Sequence, residues 1–285
     1  MVSFEIFQFA FMQRALITGT AVAIICSIIG LFLVLRKQSL FGDAMSHVAF
    51  GGIALGISIN SYPLWTAFIV SILAALGITK LKESTKIPSD SAIAVLLSSG
   101  LALGVVLISL SSGFSLDLFS FLFGSILLVS LQDEMTIIVL SIAILSITGL
   151  LFKKFMYITF NEEQAKVSGL DVAKINYLFI ILASITVITS IRLVGVLLIS
   201  SLIVIPNITA IMLGKGFRKT AIISILIAIF SVEIGILFSY IWNIAPGGTI
   251  VLVSIAIFLS TLSVKSISLL SLKRKSNYKK YENKV

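Results

Sequence analysis

Residues 15–37 read ALITGTAVAIICSIIGLFLVLRK, an uncharged apolar run from Ala15 to Leu35 that ends at the basic pair Arg36 and Lys37. About 20 apolar residues carry a helix across a bilayer. Lys and Arg collect at the cytoplasmic ends of such helices. The stretch therefore predicts a membrane-spanning helix that ends at the cytoplasmic face.

The same pattern recurs along the chain and predicts an all-α polytopic membrane protein. We expect about nine membrane-spanning helices, with eight as the alternative count. The expected spans are Ala15–Leu35, Ser39–Ile59, Tyr62–Thr79, Ser91–Leu110, Thr136–Phe152, Ile175–Ile191, Leu193–Leu213, Thr220–Ile241 and Thr249–Val264.

Composition supports a membrane class. The 285 residues are 58% hydrophobic and 12% charged, with a mean hydropathy of +1.16, whereas soluble domains are about 25% charged. There is too little polar sequence to coat a soluble helical protein. The single cysteine, Cys26, excludes a disulfide framework. We expect one membrane domain over residues 1–270 and a disordered basic tail over 271–285, which contacts lipid headgroups or anchors the topology.

The basic residues indicate the orientation. With nine crossings, all but Arg14 and Arg192 of the 21 Lys and Arg residues fall on the cytoplasmic face. This places the N-terminus outside and the C-terminus in the cytoplasm of a multi-pass cell-membrane protein. The net charge of +9 is thus a topology signal and not a nucleic-acid-binding surface, because the charges are dispersed between spans.

Residues 42–52, GDAMSHVAFGG, hold the only histidine of the chain, His47, four residues after Asp43. This spacing places both side chains on one helix face. Zinc readily accepts imidazole and carboxylate ligands, and so does manganese. Two ligands leave a divalent ion under-coordinated, but a two-fold dimer would supply four. The alternative is a buried pair that packs the bundle, with Ser46 joining its hydrogen bonds.

The glycines around this pair have two interpretations: close helix approach, or a local helix break that exposes backbone carbonyls. They are Gly42, Gly51, Gly52 and Gly56.

Glu233 and Pro206 are candidates within other spans. An intramembrane carboxylate is a functional candidate by default, so Glu233 is a second ion contact, an outer gate or a partner for Arg192. Pro206, followed by Asn207, predicts a kink in the seventh span. That kink is either a hinge for alternating access or a static packing feature.

The segment Gly113–Glu134 lies between an outgoing and an ingoing span, and its apolar part predicts a short outer-face helix or a partly re-entrant one. Its acids are Asp117, Asp133 and Glu134. They either attract cations or meet a delivery protein, or are ordinary exposed acids.

A short cytoplasmic helix is predicted over Glu162–Ser168. Asn161 is a good N-cap, Glu162 and Glu163 suit the first turn, and Gly169 suits the position after the helix. The helix either couples to a soluble partner or is an ordinary loop helix. Residues 214–220, GKGFRKT, lack the spacing of an ATP-binding loop, so an ATPase would be a separate polypeptide.

Three segments together resemble the membrane permeases of bacterial-type ABC importers for zinc and manganese. They are LRKQSLFGDAMSHVAFGGIALG (35–56), TFNEEQAKVSGLDV (159–172) and RLVGVLLISSLIVIPNITA (192–210). The resemblance covers about Phe11 to Lys265. Asn207 departs from it, since many relatives carry alanine there.

The resemblance implies a permease homodimer on cytoplasmic ATPase subunits, supplied by an extracellular metal-binding protein. It implies that Asp43 and His47 take part in metal passage and that Glu162, Glu163 and Gly169 form the turn that contacts the ATPase. FMQRAL near the start and SLDLFSFLFGSILLVS look more like the zinc branch.

The expected function is therefore transport of zinc, with manganese and then iron as alternatives. The chain carries no covalent chemistry and no permanently bound cofactor. A proton-coupled secondary transporter is the rival, but it predicts an inverted repeat, and no convincing internal repeat is visible. An intramembrane metalloenzyme would need more than one histidine.

Overall fold

A computed structural model describes residues 8–85, 87–110, 116–125 and 130–282, with the backbone alone at 83, 89, 116–118 and 267–282. Within these ranges the chain forms helices and no strand. The helices are α1 (Ala10–Leu35), α2 (Phe41–Ser58), α3 (Pro63–Thr85), α4 (Ser89–Leu110), α5 (Leu116–Phe123), α6 (Leu131–Phe160), α7 (Glu162–Val167), α8 (Val172–Val194), α9 (Ile199–Met212), α10 (Phe217–Trp242) and α11 (Pro246–Glu282).

Seven of the described helices are long and apolar enough to cross a membrane: α1, α3, α4, α6, α8, α10 and α11. The all-α polytopic fold is thereby confirmed. Each expected span coincides with a helix, but α2 has 18 residues and α9 has 14, so the count of nine crossings is not confirmed. The α11 backbone continues helical to Glu282, through most of the segment expected to be a disordered tail. The domain boundary at residue 270 stays a prediction.

One expected boundary is wrong. The seventh span is predicted to start at Leu193, whereas α8 continues to Val194 and α9 begins only at Ile199. Gly195 separates the two helices with a φ of +87°, a conformation that glycine adopts without steric cost. The uninterrupted apolar sequence hides this break, because hydropathy carries no information on backbone direction.

The short helix expected in the outer segment is present as α5, and it packs against the break between α8 and α9. The amides of Val196 and Leu197 donate to the carbonyls of Phe121 (2.9 Å) and Leu122 (3.3 Å). The amide of Ser125 donates to the carbonyl of Arg192 (3.3 Å). The end of α5 and the break between α8 and α9 thus satisfy each other's backbone hydrogen-bonding groups, as irregular structure at membrane depth requires.

The glycines of α2 serve close helix packing, since α2 is a continuous helix. A Cβ on Gly51 would lie 2.9 Å from the carbonyl oxygen of Gly100 on α4, and one on Gly52 would lie 2.7 Å from the Cα of Ala67 on α3. Small residues at such crossings let two backbones touch. The helix that carries Asp43 is therefore held on both sides by backbone contacts.

Candidate functional site

Asp43 and His47 lie one turn apart at the start of α2. His47 Nε2 is 3.8 Å from Asp43 Oδ1, and the side chains are 14% and 31% exposed, respectively. This distance is too long for a hydrogen bond. The Ser46 hydroxyl donates to the backbone carbonyl of Asp43 (2.8 Å) and not to its carboxylate. The two candidate ligands thus share a face without being joined directly by a hydrogen bond.

His47 Nδ1 is buried and has no hydrogen-bond partner in the described part of the chain. A buried imidazole nitrogen without a partner is unusual, because such groups are costly to leave unpaired. The backbone just beyond it is tightly fixed, since a Cβ on Gly100 would lie 2.8 Å from the carbonyl carbon of His47.

One copy of the chain provides few metal ligands. Among the described residues there is no group of three or more His, Cys, Asp or Glu side chains that could hold a metal ion. Structural zinc takes four ligands, and octahedral oxygen-rich sites suit manganese. The Asp43–His47 pair therefore requires water or a second chain to complete a coordination shell.

Pro206 lies inside α9, as expected, and Asn207 stabilises the helix beside it. Proline lacks the N–H of an interior helical residue. The Asn207 amide Nδ2 donates to the carbonyl of Ile203 (2.7 Å), and its Oδ1 accepts from the Ser224 hydroxyl on α10 (2.7 Å). The Ser27 hydroxyl on α1 and that of Ser224 are 2.8 Å apart.

These groups form a buried chain of hydrogen bonds across three helices. Gly30 leaves the room for it, because a Cβ there would lie 2.6 Å from Asn207 Nδ2. Asn207, which departs from the resembled family, is fully buried and satisfied. It ties α9 to α1 and α10, and sequence reasoning missed this role.

Glu233 on α10 accepts a hydrogen bond from the Thr20 hydroxyl on α1, at 2.5 Å. Of the three alternatives for Glu233, the pairing with Arg192 is therefore wrong, and the roles of ion contact and outer gate stay predictions. Arg192 instead forms an ion pair with Asp133, with Nε 3.4 Å from Oδ1. The guanidinium also lies over the Phe121 ring at 4.6 Å.

Asp133 is a structural residue and not an exposed cation attractor. Its side chain is 3% exposed and accepts from the hydroxyl of Tyr62, the residue just before α3 (3.2 Å). It also forms a capping box with Ser130 at the start of α6. The next residue, Glu134, lies 3.6 Å from Arg14 on α1. Asp117, the third acid of this segment, has a side chain outside the described residues.

The two basic residues assigned to the outer face are thus each paired with an acid. These ion pairs connect α1, α6 and α8 at one end of the bundle.

The short helix expected on the cytoplasmic face is present as α7, Glu162–Val167, and is one residue shorter than expected. Asn161 Oδ1 accepts from the Gln164 amide (3.0 Å), as an N-cap should. Glu162 forms an ion pair with Lys166 (2.9 Å). Gly169 has a φ of +84°, which suits the residue after a helix.

Arg36 connects the turn before α2 to both helices that flank α7. Its Nε donates to Thr159 Oγ1 on α6 and its Nη1 to Asn176 Oδ1 on α8, each at 3.0 Å. The guanidinium lies 4.3 Å from the centroid of the Phe179 ring. Burial lowers the pKa of Arg36 to about 10, while the carboxylate of Glu162 acts to raise it.

Arg36 therefore stays protonated at neutral pH. Sequence reasoning assigned Arg36 to topology alone, and its position directly before the Asp43–His47 motif was the available signal for a further role.

The protein is an all-α bundle with an acid–imidazole pair on the short helix α2 and a polar helix, α7, between two spans. These features define a transport protein of the membrane permease class. Comparison with known proteins gives the family. The sequence profile of the ABC 3 transport family matches residues 8–265. The chain belongs to this family, and it is the permease subunit of an ABC-type metal importer.

Two relatives and one solved structure show the extent of the similarity. The chain is 33% identical over 261 residues to a probable metal transport system membrane protein of Treponema pallidum, covering 91% of this chain and 97% of the relative. It is 34% identical over 251 residues to the manganese transport system membrane protein MntC of Listeria monocytogenes, covering 88% and 89%.

The solved structure is described as PsaBC from Streptococcus pneumoniae in complex with Fab. One of its chains superimposes with a TM-score of 0.81 at 34% identity, covering 90% of this chain and 92% of that one.

Proposed function

We propose that this permease carries Mn²⁺ inward between two copies of the chain, past Asp43 and His47 of each copy. The observation that carries the proposal is the geometry of this pair. A carboxylate and an imidazole lie one turn apart on a helix seated by backbone contacts, and no hydrogen bond between them occupies their ligand atoms.

A homodimer accounts for the incomplete ligand set. A two-fold axis beside α2 would bring together two carboxylates and two imidazoles, with water filling the remaining positions. Loose coordination suits a transporter, because the ion must leave again.

Manganese is preferred over the zinc expected from sequence. The Asp–His set accepts either ion, so the ligands do not decide the choice. The named metal of the Listeria relative is manganese, whereas neither of the two relatives described above is named for zinc. Zinc and iron remain the alternative cargoes of the same pathway.

The energy would come from separate ATPase subunits. We assign the contact with them to α7, through Glu162 and Glu163, with Gly169 ending the helix. An extracellular metal-binding protein would deliver the ion to the opposite face. This arrangement places the N-terminus outside and the C-terminus in the cytoplasm of the cell membrane.

Alternating access would then require α9 to change its tilt at Pro206. The hydrogen bonds of Asn207 to Ile203 and Ser224 would hold α9 in its present conformation. Glu233, which accepts from Thr20, is the candidate for a second contact on the ion's route.

The test is uptake of radiolabelled manganese and zinc, run in parallel, in cells that lack their own importers. The cells carry the ATPase and binding-protein partners with wild type, Asp43→Asn or His47→Ala at matched membrane levels. Asp90→Asn is the control, since Asp90 is an exposed carboxylate at the start of α4. Loss of manganese uptake in the first two variants alone is expected. Undiminished uptake would make the pair structural, and selective loss of zinc uptake would reverse the choice of metal.

A further inference from the structure

A cavity of about 490 Å³ opens at the end of the bundle that carries α7. It lies between the turn that joins α1 to α2, the C-terminal ends of α3 and α6, and the N-terminal parts of α4 and α8. The distribution of basic residues assigns this end to the cytoplasm. Neither Asp43 nor His47 lines the cavity, and its occupant does not depend on which metal the permease carries.

Positive charge dominates the polar side of this basic cavity. Arg36, Lys37 and Lys82 line it, together with one carboxylate, that of Glu162. Glu162 is paired with Lys166 at 2.9 Å, which offsets its charge. The lining therefore favours an anion.

One hydrogen-bond donor of Arg36 at this cavity is unpaired among the described residues. Arg36 uses Nε and Nη1 in hydrogen bonds to Thr159 and Asn176. Its Nη2 is buried and has no hydrogen-bond partner among the residues the structure describes. A buried charged donor without a partner is costly, and an anionic oxygen would satisfy it. Arginine donors bind phosphate oxygens particularly well.

Apart from the polar residues Gln38, Thr79, Thr159 and Asn176, the rest of the lining is apolar. Leu35, Phe41, Ile78, Ile93 and Ile180 all face the cavity. Arg36 directly follows the apolar run of α1, so the charged part of the lining lies at the level where a span ends. A free inorganic anion would leave these apolar walls in water, whereas an acyl chain would cover them.

We propose that this cavity binds an anionic phospholipid, with the phosphate on Arg36 Nη2, Lys37 and Lys82 and the acyl chain along the apolar wall. Basic pockets between membrane helices on the cytoplasmic side suit such headgroups. The bound lipid would bridge the turn before α2 and the end of α3, and it would complete the contacts of Arg36.

The experiment titrates the purified permease–ATPase complex with phosphatidylglycerol and counts retained lipid by native mass spectrometry. The double variant Lys37→Gln/Lys82→Gln removes two lining charges but keeps Arg36. The control is Lys80→Gln/Lys154→Gln, which removes two exposed charges that do not line the cavity. Phosphatidylcholine with the same acyl chains and inorganic phosphate are the competitors, and the thermal unfolding of both variants is checked.

A lysine near an anionic lipid contributes about fivefold in affinity. The double variant Lys37→Gln/Lys82→Gln loses two such lysines, so it is expected to bind phosphatidylglycerol about thirtyfold more weakly. The control should change by less than about twofold, with neither competitor displacing the lipid. Equal weakening of both variants would show a general surface-charge effect and overturn the proposal. Displacement by inorganic phosphate would show a free-anion site and overturn the lipid assignment. Binding to the permease alone but not to the complex would place an ATPase side chain in the cavity and also overturn it.

Discussion

Gly100→Ala would show whether the seating of α2 on α4 positions the ligand pair. A Cβ at Gly100 would lie 2.6 Å from the Val48 amide nitrogen, 2.7 Å from the Val48 Cα and 2.8 Å from the His47 carbonyl carbon. All three are backbone atoms of the ligand-bearing helix. None can rotate away, so α2 itself must move.

The size of that movement follows from the contact distances. Ordinary Cβ contacts begin near 3.4 Å, so the shortest contact must lengthen by about 0.8 Å, the difference between 3.4 and 2.6. Overpacking of this kind costs about 1–3 kcal/mol of stability. A misplacement of about 1 Å in a positioned site can cost about 100-fold in rate. We therefore expect manganese uptake to fall by about tenfold or more, with lower thermal stability.

Gly77→Ala and Gly149→Ala are matched controls, because no described atom lies within 4 Å of a Cβ at either position. Both glycines lie within helices, where alanine is favoured by about 1 kcal/mol. Thermal unfolding of the purified proteins and manganese uptake at equal membrane levels are measured for all three variants. If Gly100→Ala unfolds and transports like the controls, then the α2–α4 contact does not position Asp43 and His47.

Substitutions at three further residues test the supporting contacts. Asp133→Asn leaves Arg192 without its carboxylate and should lower the free energy of unfolding by about 3 kcal/mol, measured by thermal denaturation; an unchanged midpoint would contradict the ion-pair role. Asn207→Ala removes the acceptor of the buried Ser224 hydroxyl and a donor to the Ile203 carbonyl, and the loss of these two hydrogen bonds should cost about 1–3 kcal/mol in the same assay; unaltered stability would contradict the stabilising role of this network. Arg36→Gln should let the complex hydrolyse ATP while manganese uptake falls, and Arg36→Lys should not rescue uptake because lysine lacks the planar fork; parallel loss of both activities would indicate a folding defect instead.

Local sequence patterns predicted most of the helices. Apolar runs of about 20 residues identified the seven helices that are long and apolar enough to cross a membrane, because length and hydropathy are properties of the segment alone. The boundary at Leu193 was wrong for the same reason. The break at Gly195 is set by its contact with α5, where a Cβ on Gly195 would meet the amide nitrogen of Gly124 at 2.6 Å. Hydropathy cannot report such a contact.

The candidate site likewise has one part that local sequence predicts and another part that depends on contacts between helices. The Asp43–His47 pair was predictable because an i, i+4 spacing on a helix fixes the relative position of two side chains. The partner of Arg192 was not predictable from the sequence, because Asp133 lies on another helix and only the packing of α6 against α8 brings the two residues together. The role of Asn207 likewise depends on Ser224 and the space left by Gly30, which no local pattern indicates.

The central claim is that the transported ion contacts His47, and pulsed electron paramagnetic resonance of Mn²⁺ bound to the permease–ATPase complex tests it most directly. His47 is the only histidine of this chain, so a nitrogen coupling that disappears in His47→Ala assigns the ligand without isotopic labelling. The account predicts imidazole nitrogen couplings in wild type, their loss in His47→Ala and their persistence in Asp90→Asn. Bound manganese with no nitrogen coupling, or with couplings unchanged in His47→Ala, would contradict it.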